Sequence, residues 1–218
     1  MEILFEDNHL IAAFKLSGQT VQPEPSKPIS LEDEVKEYIR VKYNKPGSVF
    51  LGVIHRLDMP VNGIVLFART SKALVRMNES FQKREITKKY LCLVEGKPPA
   101  SAASLQHWLK SDDKKNFTKA FENPVNNALE ARLKYKVLKS AKNVSLLEID
   151  LETGRKHQIR AQLSAMGNPI LGDVKYGASK PLMDQSIALQ AYFLSFNHPV
   201  QDIPIEISLL KSKNLLKL

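Results

Sequence analysis

Ser48-Val-Phe-Leu-Gly-Val-Ile-His-Arg-Leu-Asp-Met-Pro-Val-Asn-Gly-Ile-Val-Leu-Phe-Ala-Arg-Thr70 is the stretch from which the fold is read. Two apolar, β-branched runs, Val49 to Ile54 and Ile64 to Ala68, flank a charged island, His55-Arg56-Leu57-Asp58, and a turn built by Pro60 and Asn62-Gly63. This pattern predicts two strands with a chemically equipped loop between them. A carboxylate at such a strand-to-loop junction is held firmly and still reaches a ligand, which makes Asp58 the candidate nucleophile. The plainer alternative is that Asp58 caps a turn, with Arg56 as its surface partner.

Working outward, 218 residues suffice for one sizeable core, and no long polar linker divides them, so one domain over residues 1–218 is expected. Lys and Arg number 32 against 23 Asp and Glu, a formal charge of +9 that favours a polyanionic partner, because each phosphate neutralised releases counterions. The one cysteine, Cys92, lies in the apolar run Tyr90-Leu91-Cys92-Leu93-Val94 and reads as core. One thiol excludes an internal disulfide and a cysteine-based zinc site, and suits a reducing, cytoplasmic setting. The start Met1-Glu2-Ile3-Leu4-Phe5-Glu6-Asp7 has no signal-peptide character, and no apolar run approaches bilayer length, so no membrane partner is expected.

Before the central stretch, Glu2 to Glu6 and Leu10 to Lys15 around Asp7-Asn8-His9 predict a hairpin, and proline-rich Gln22 to Pro28 a loop. Ser30 caps an expected helix from Leu31, with Glu32, Asp33 and Glu34 in its first turn and Leu31, Val35 and Ile39 as its apolar stripe. After it, Ser71 is the expected cap of a second helix bearing Leu74, Met77 and Phe81. Strands are expected over Lys88 to Glu95, Ser101 to Lys110, Phe117 to Phe121, Ala131 to Leu138 and Val144 to Leu151. Arg155 to Gly167 reads as a helix with stripe Ile159, Leu163 and Met166, closed by Gly167 and Asn168-Pro169, with His157 and Arg160 one turn apart on one side. Ile187 to Phe196 and Ile203 to Leu209 are further apolar strands before a lysine-rich tail. Many short strands, few helices and hairpin-length connections predict an α+β fold on a largely antiparallel sheet.

The chain lacks the sequence patterns of a nucleotide phosphate loop, a dinucleotide fold, a helical zinc site and a nucleophile elbow. Its five histidines show no ligand spacing backed by a third member, so no metal is expected. One placed Asp, several arginines and a tyrosine in a basic strand suit a reaction at a nucleoside that needs neither metal nor redox cofactor.

At these residues the chain resembles the RluA family of RNA pseudouridine synthases. His55-Arg56-Leu57-Asp58 with Gly63 resembles the family's signature, Glu6-Asp7-Asn8-His9-Leu10 to Lys15 its opening, and Lys89-Tyr90-Leu91 its tyrosine motif. Thr153-Gly154-Arg155-Lys156-His157-Gln158-Ile159-Arg160 resembles its arginine motif, and Asn168 to Asp173 and Phe196-Asn197-His198-Pro199 complete the order. Two departures stand out: Val61-Asn62 replaces the family's Thr-Ser, and Lys15-Leu16-Ser17-Gly18 its Lys-Pro-x-Gly. The resemblance implies a stand-alone catalytic domain, without the extra N-terminal RNA-binding module of some relatives. It also implies isomerisation of uridine to pseudouridine in a ribosomal or transfer RNA stem-loop, and with no evident surplus apolar surface a monomer is the expectation.

By the same resemblance Asp58 attacks the sugar or takes its C2′ proton, Arg160 keeps Asp58 ionised, and Tyr90 stacks on the uracil. His55, Arg56, Lys89, Arg155 and Lys156 are then expected to touch RNA, with Ile159 lining the base pocket. A non-catalytic RNA-binding or ribosome-assembly protein on the same fold is the rival reading, and a nucleoside hydrolase using Asp58 covalently a third. The hydrolase normally needs a second carboxylate as acid, which the recognised motifs do not supply.

Overall fold

The computed structural model describes residues 1–24, 29–211 and 216. Pro25 to Pro28 of the expected proline-rich loop, and most of the lysine-rich tail, lie outside the described residues. The chain has an α+β fold whose residues gather into two compact units, Met1–Ile86 with Phe193–Leu209, and Thr87–Tyr192 with Leu210–Leu218.

In the first unit, β1 (Glu2–Glu6) and β2 (Leu10–Lys15) form the expected hairpin, and β2 pairs antiparallel with β4 (Asn62–Ala68) from Leu10↔Ala68 to Lys15↔Gly63. All six residues of β2 and six of the seven in β4 are buried, the mark of strands covered on both faces, which is why both read as continuous apolar runs rather than alternating ones. Of the expected strand Val49 to Ile54 only Gly52–Val53 (β3) pairs, Gly52 with Ala68 and Val53 with Phe67. Gly52 is constrained by what lies above it: a Cβ there would sit 2.7 Å from the Leu74 side chain.

Helix α1 (Leu31–Lys42) begins as its sequence predicts, with Ser30 and Asp33 in a reciprocal capping box, and Leu31, Val35 and Ile39 buried. Helix α2 (Ser71–Lys83) is capped one residue earlier than expected: the Thr70 hydroxyl, on extended backbone, accepts the Ala73 N–H at 3.2 Å. Met77 and Ala73 are its buried positions, and it ends with Arg84 in the left-handed region. The unit also holds Phe193 to Asn197, which pair antiparallel with Pro204–Ser208. Beside them the buried His198 places Nε2 2.8 Å from Asp7 of the first hairpin, while its Nδ1 accepts the N–H groups of Val200 and Gln201.

The second unit is built on antiparallel pairings in the order β5 (Thr87–Glu95), β9 (Val144–Leu151), β8 (Leu129–Ala141), β6 (Ala102–Asp112), β7 (Phe117–Phe121). Tyr90, Ile149 and Tyr135 stand in one cross-strand row and are buried, whereas the neighbouring row, Lys89, Asp150 and Lys134, is partly or fully exposed. The alternation expected for β8, apolar inside and basic outside, is present: Ala131, Leu133 and Tyr135 are buried, and Lys134 and Lys136 exposed.

Helix α3 (Gln158–Ala165) packs on β6 and β7, and is shorter than the sequence suggests. Met166 is its half-buried C-cap rather than a core residue, and His157 lies outside it at φ 52°. His157 and Arg160 therefore do not share a helical face. A 3-10 turn, Val174–Tyr176, follows.

Candidate active site

The first unit supplies the loop that carries Asp58. Buried Leu57 and Val61 anchor the loop on either side of the half-buried Asp58, and the Val61 N–H closes a turn on the Asp58 carbonyl at 3.0 Å. Beneath this turn lies Lys15 with 0% exposure, its ammonium donating to the carbonyls of Gln19 (2.7 Å), Leu16 (3.0 Å) and Met59 (3.0 Å). Burial pulls the Lys15 ammonium down to about 7, and the Asp58 carboxylate acts against that fall by favouring the charged form.

The two departures from the family pattern meet at this place. Ser17 donates its hydroxyl to the Pro60 carbonyl at 3.1 Å and stands 3.5 Å from the Asn62 amide, so Ser17 and Asn62 lace the 15–20 turn to the Asp58 loop. Gly63, opposite Lys15, has φ 130°, a conformation closed to most side chains. Arg56 is exposed. His55 is turned toward α2 and β4, with Nε2 accepting the Leu66 N–H at 3.1 Å and its ring stacked on Phe81.

Tyr90 and Arg160 lie in the second unit. Tyr90 is buried on β5. Lys89 points to the other face of that strand and lies 3.6 Å from Glu148, while Lys88 shares the Tyr90 face, its Nζ 3.5 Å from where a Cβ of residue 154 would be. Burial lowers the pKa of Lys88, and the Asp150 carboxylate opposes that shift.

The residues before α3 are fixed by two buried polar side chains five apart. The Thr153 hydroxyl accepts the Arg132 N–H at 2.8 Å and bonds the Gln158 side chain at 2.8 Å, and Gln158 in turn accepts the Arg155 N–H and donates to the Arg132 carbonyl. This lock explains why the run from Thr153 to Gln158 leaves the sheet as a tight loop rather than as an earlier helical turn. Arg155 donates from Nε to the Glu130 carbonyl at 3.1 Å, and exposed Lys156 pairs with Asp113 at 2.9 Å. Ile159 is buried.

The Arg160 side chain, 6% exposed, is gripped by the Asp173 carboxylate, Nε to Oδ2 at 2.7 Å and Nη2 to Oδ1 at 2.9 Å. Such a two-pronged pair fixes the plane of the guanidinium as well as its position. Asp173 follows Gly172, which has φ 86° and on which a Cβ would come within 2.7 Å of both the Leu182 side chain and the Ser186 carbonyl oxygen. Asp173 and Lys15 are the functional candidates that reading the residues by type did not single out. Both lie inside the quoted motifs, but their importance comes from burial beside a charge, which sequence spacing does not display. Among the described residues no His, Cys, Asp and Glu group could hold a metal ion, and no helix is long and apolar enough to cross a membrane.

Residues 9–165 match the family described as RNA pseudouridylate synthase. The chain is 30% identical over 213 residues to the ribosomal large subunit pseudouridine synthase D of Zymomonas mobilis, covering 92% of this chain and 66% of that protein. To the ribosomal large subunit pseudouridine synthase C of Rickettsia prowazekii it is 31% identical over 185 residues, covering 84% of this chain and 58% of the relative. It thus spans less than two thirds of the length of these relatives. Its fold is similar to that of human RNA pseudouridylate synthase domain containing 4, with a TM-score of 0.78 at 24% identity over 94% of this chain and 87% of that one. Since the matched span runs from the first hairpin through Asp58 and Tyr90 to the helix of Arg160, this chain belongs to the RNA pseudouridylate synthases, as a member of the RluA type.

Proposed function

We propose that this chain isomerises uridine to pseudouridine within RNA, with Asp58 as the catalytic carboxylate. The observation that carries the reading is that the family match over residues 9–165 takes in Asp58, Tyr90 and Arg160 together. The net reaction breaks the bond from uracil N1 to C1′ and forms one from C5 to C1′, and the hydrogen lost from C5 is balanced by the one gained at N1. A uracil in structured RNA must first leave its stack, which costs a few kcal/mol. In this reading Arg56 occupies the space it leaves or holds the neighbouring phosphate, Tyr90 stacks on the ring and assists removal of the C5 proton, and Ile159 lines the base pocket. Arg155 and Lys156 contact phosphates, as His55 and Lys89 do at the edge of the RNA.

Asp58 must be ionised whether it attacks C1′ or takes the C2′ proton. The reading assigns Arg160 to keep it so by charge pairing. The RNA is a ribosomal or transfer RNA stem-loop, with ribosomal RNA favoured by the names of the relatives. In this reading the chain acts as a monomer in the cytoplasm.

Asp58→Asn tests the assignment. Turnover on the chain's RNA target should fall by about 10,000-fold or more, with RNA affinity within about threefold, since a neutral isostere leaves the phosphate contacts in place. A variant that still makes pseudouridine would remove Asp58 from the mechanism, and free uracil among the products would favour a hydrolase. RNA with deuterium at C2′ separates the two routes, because only proton abstraction there gives a primary isotope effect.

A further inference from the structure

Arg160 is held on more than one side. Asp173 grips the edge of its guanidinium, and the ring of Tyr176 lies beneath it, with the ring centroid 4.7 Å from Cζ. Tyr176 is 4% exposed and is itself immobilised from three directions. Its ring stacks on Phe117 at 4.7 Å between centroids with the planes 14° apart, its hydroxyl oxygen accepts the Thr118 N–H at 2.8 Å, and the same hydroxyl lies 2.8 Å from His157 Nδ1. The Thr118 N–H fills one position on this hydroxyl oxygen, and His157 Nδ1 takes up another around it. Burial raises the pKa of Tyr176, so the phenol stays neutral and offers its ring face, rather than a charge, to the guanidinium.

The backbone reinforces the same arrangement. Asp173 and Tyr176 belong to one short turn, closed by the Tyr176 N–H on the Asp173 carbonyl at 2.9 Å, while Ser164 of α3 donates its hydroxyl to the Tyr176 carbonyl at 2.6 Å. The unusual His157 backbone has its explanation here. At φ 52° His157 forgoes a side-chain cap on α3, and its ring is spent on Tyr176 instead.

We propose that Tyr176 is the positioning residue for Arg160: its ring fixes the face of the guanidinium as Asp173 fixes its edge, and its hydroxyl, tied to Thr118 and His157, fixes the ring. The proposal rests on the reading that Arg160 serves the isomerisation. A cation located on two sides cannot swing away when RNA enters, so the loss of the ring should be felt in turnover rather than in RNA binding.

The test compares Tyr176→Phe, Tyr176→Leu and Arg160→Lys in the full chain. Removing the ring face should lower kcat by about 100-fold, the penalty of a misplacement near 1 Å, with KM changed less than about threefold; Phe, which keeps the face, should restore kcat to within about fivefold of the parent. If Leu prevents folding, Tyr176→Met keeps most of the volume without a ring and should give the same split between kcat and KM. Ring-less variants with parental kcat, or a Phe variant as slow as they are, would overturn the proposal while Arg160→Lys is slow. A fast Arg160→Lys would instead overturn the role given to Arg160 itself.

Discussion

Lys15 shows how much a single residue can decide. A fully buried ammonium is costly to desolvate, and it is retained here with three carbonyls around it and a carboxylate nearby. The folded chain gives up the Lys15 proton near a pH of about 7, whereas the unfolded chain keeps it to about 10.4. Between those values the unfolded state binds more protons, so Lys15 makes the protein more stable as pH rises. The stability difference between the parent and Lys15→Met should therefore grow from pH 7 to 9, by at most about 1.4 kcal/mol per pH unit. Urea unfolding at several pH values measures it, and parallel curves would show that the carbonyl cage keeps the ammonium charged throughout. Asp58 draws notice in the sequence because it stands in a loop between apolar runs. Lys15 does not: on paper it is an ordinary lysine ending a strand, and only the closure of residues 59 to 62 over it makes it a buried charge.

At the scale of elements, sequence patterns located strands better than caps. The β1–β2 hairpin and β9 lie where their apolar runs predict, since a turn of Asp, Asn and His and a run of alternating burial are strong local signals. The start of α2 was ambiguous because Thr70 and Ser71 are both capable caps, and the choice is made by which hydroxyl reaches an N–H three residues on, here that of Ala73. The left-handed His157 has no sequence signature at all, because the hydrogen bond that holds it comes from Tyr176, nineteen positions away. For α1 the local signal suffices, and Ser30→Ala, which abolishes a capping box at a buried serine, should cost about 1 kcal/mol. A shift in the urea midpoint with no change in slope would register that loss, and an unchanged midpoint would mean the first turn is held by the carbonyls of Thr20 and Val21 instead.

Across the whole molecule, the charge of +9 should make RNA affinity fall steeply with salt. Arg155→Ala should lower the slope of log K against log salt by about 1 if Arg155 neutralises one phosphate, and an unchanged slope would return that guanidinium to a purely structural bond with Glu130. The fold class was readable from the short strands and hairpin connections, but the gathering of residues into two units was not, since no change in composition marks residue 86 or 193. Cys92 offers a readout of the second unit: it is fully buried, and burial pushes its thiol well above the ordinary range. Alkylation near neutral pH should proceed only at the rate at which the unit opens, and brisk labelling of the folded protein would contradict the packing around β5.

Gly172 carries no reactive group, so an inventory of acids, bases and cations passes over it. Even the smallest side chain there would strike the Ser186 carbonyl and dislodge the neighbour on which Arg160 depends. Inheritance has little latitude at such a position: alleles that encode any larger residue should yield a strained protein that is both less abundant and slower than the parent.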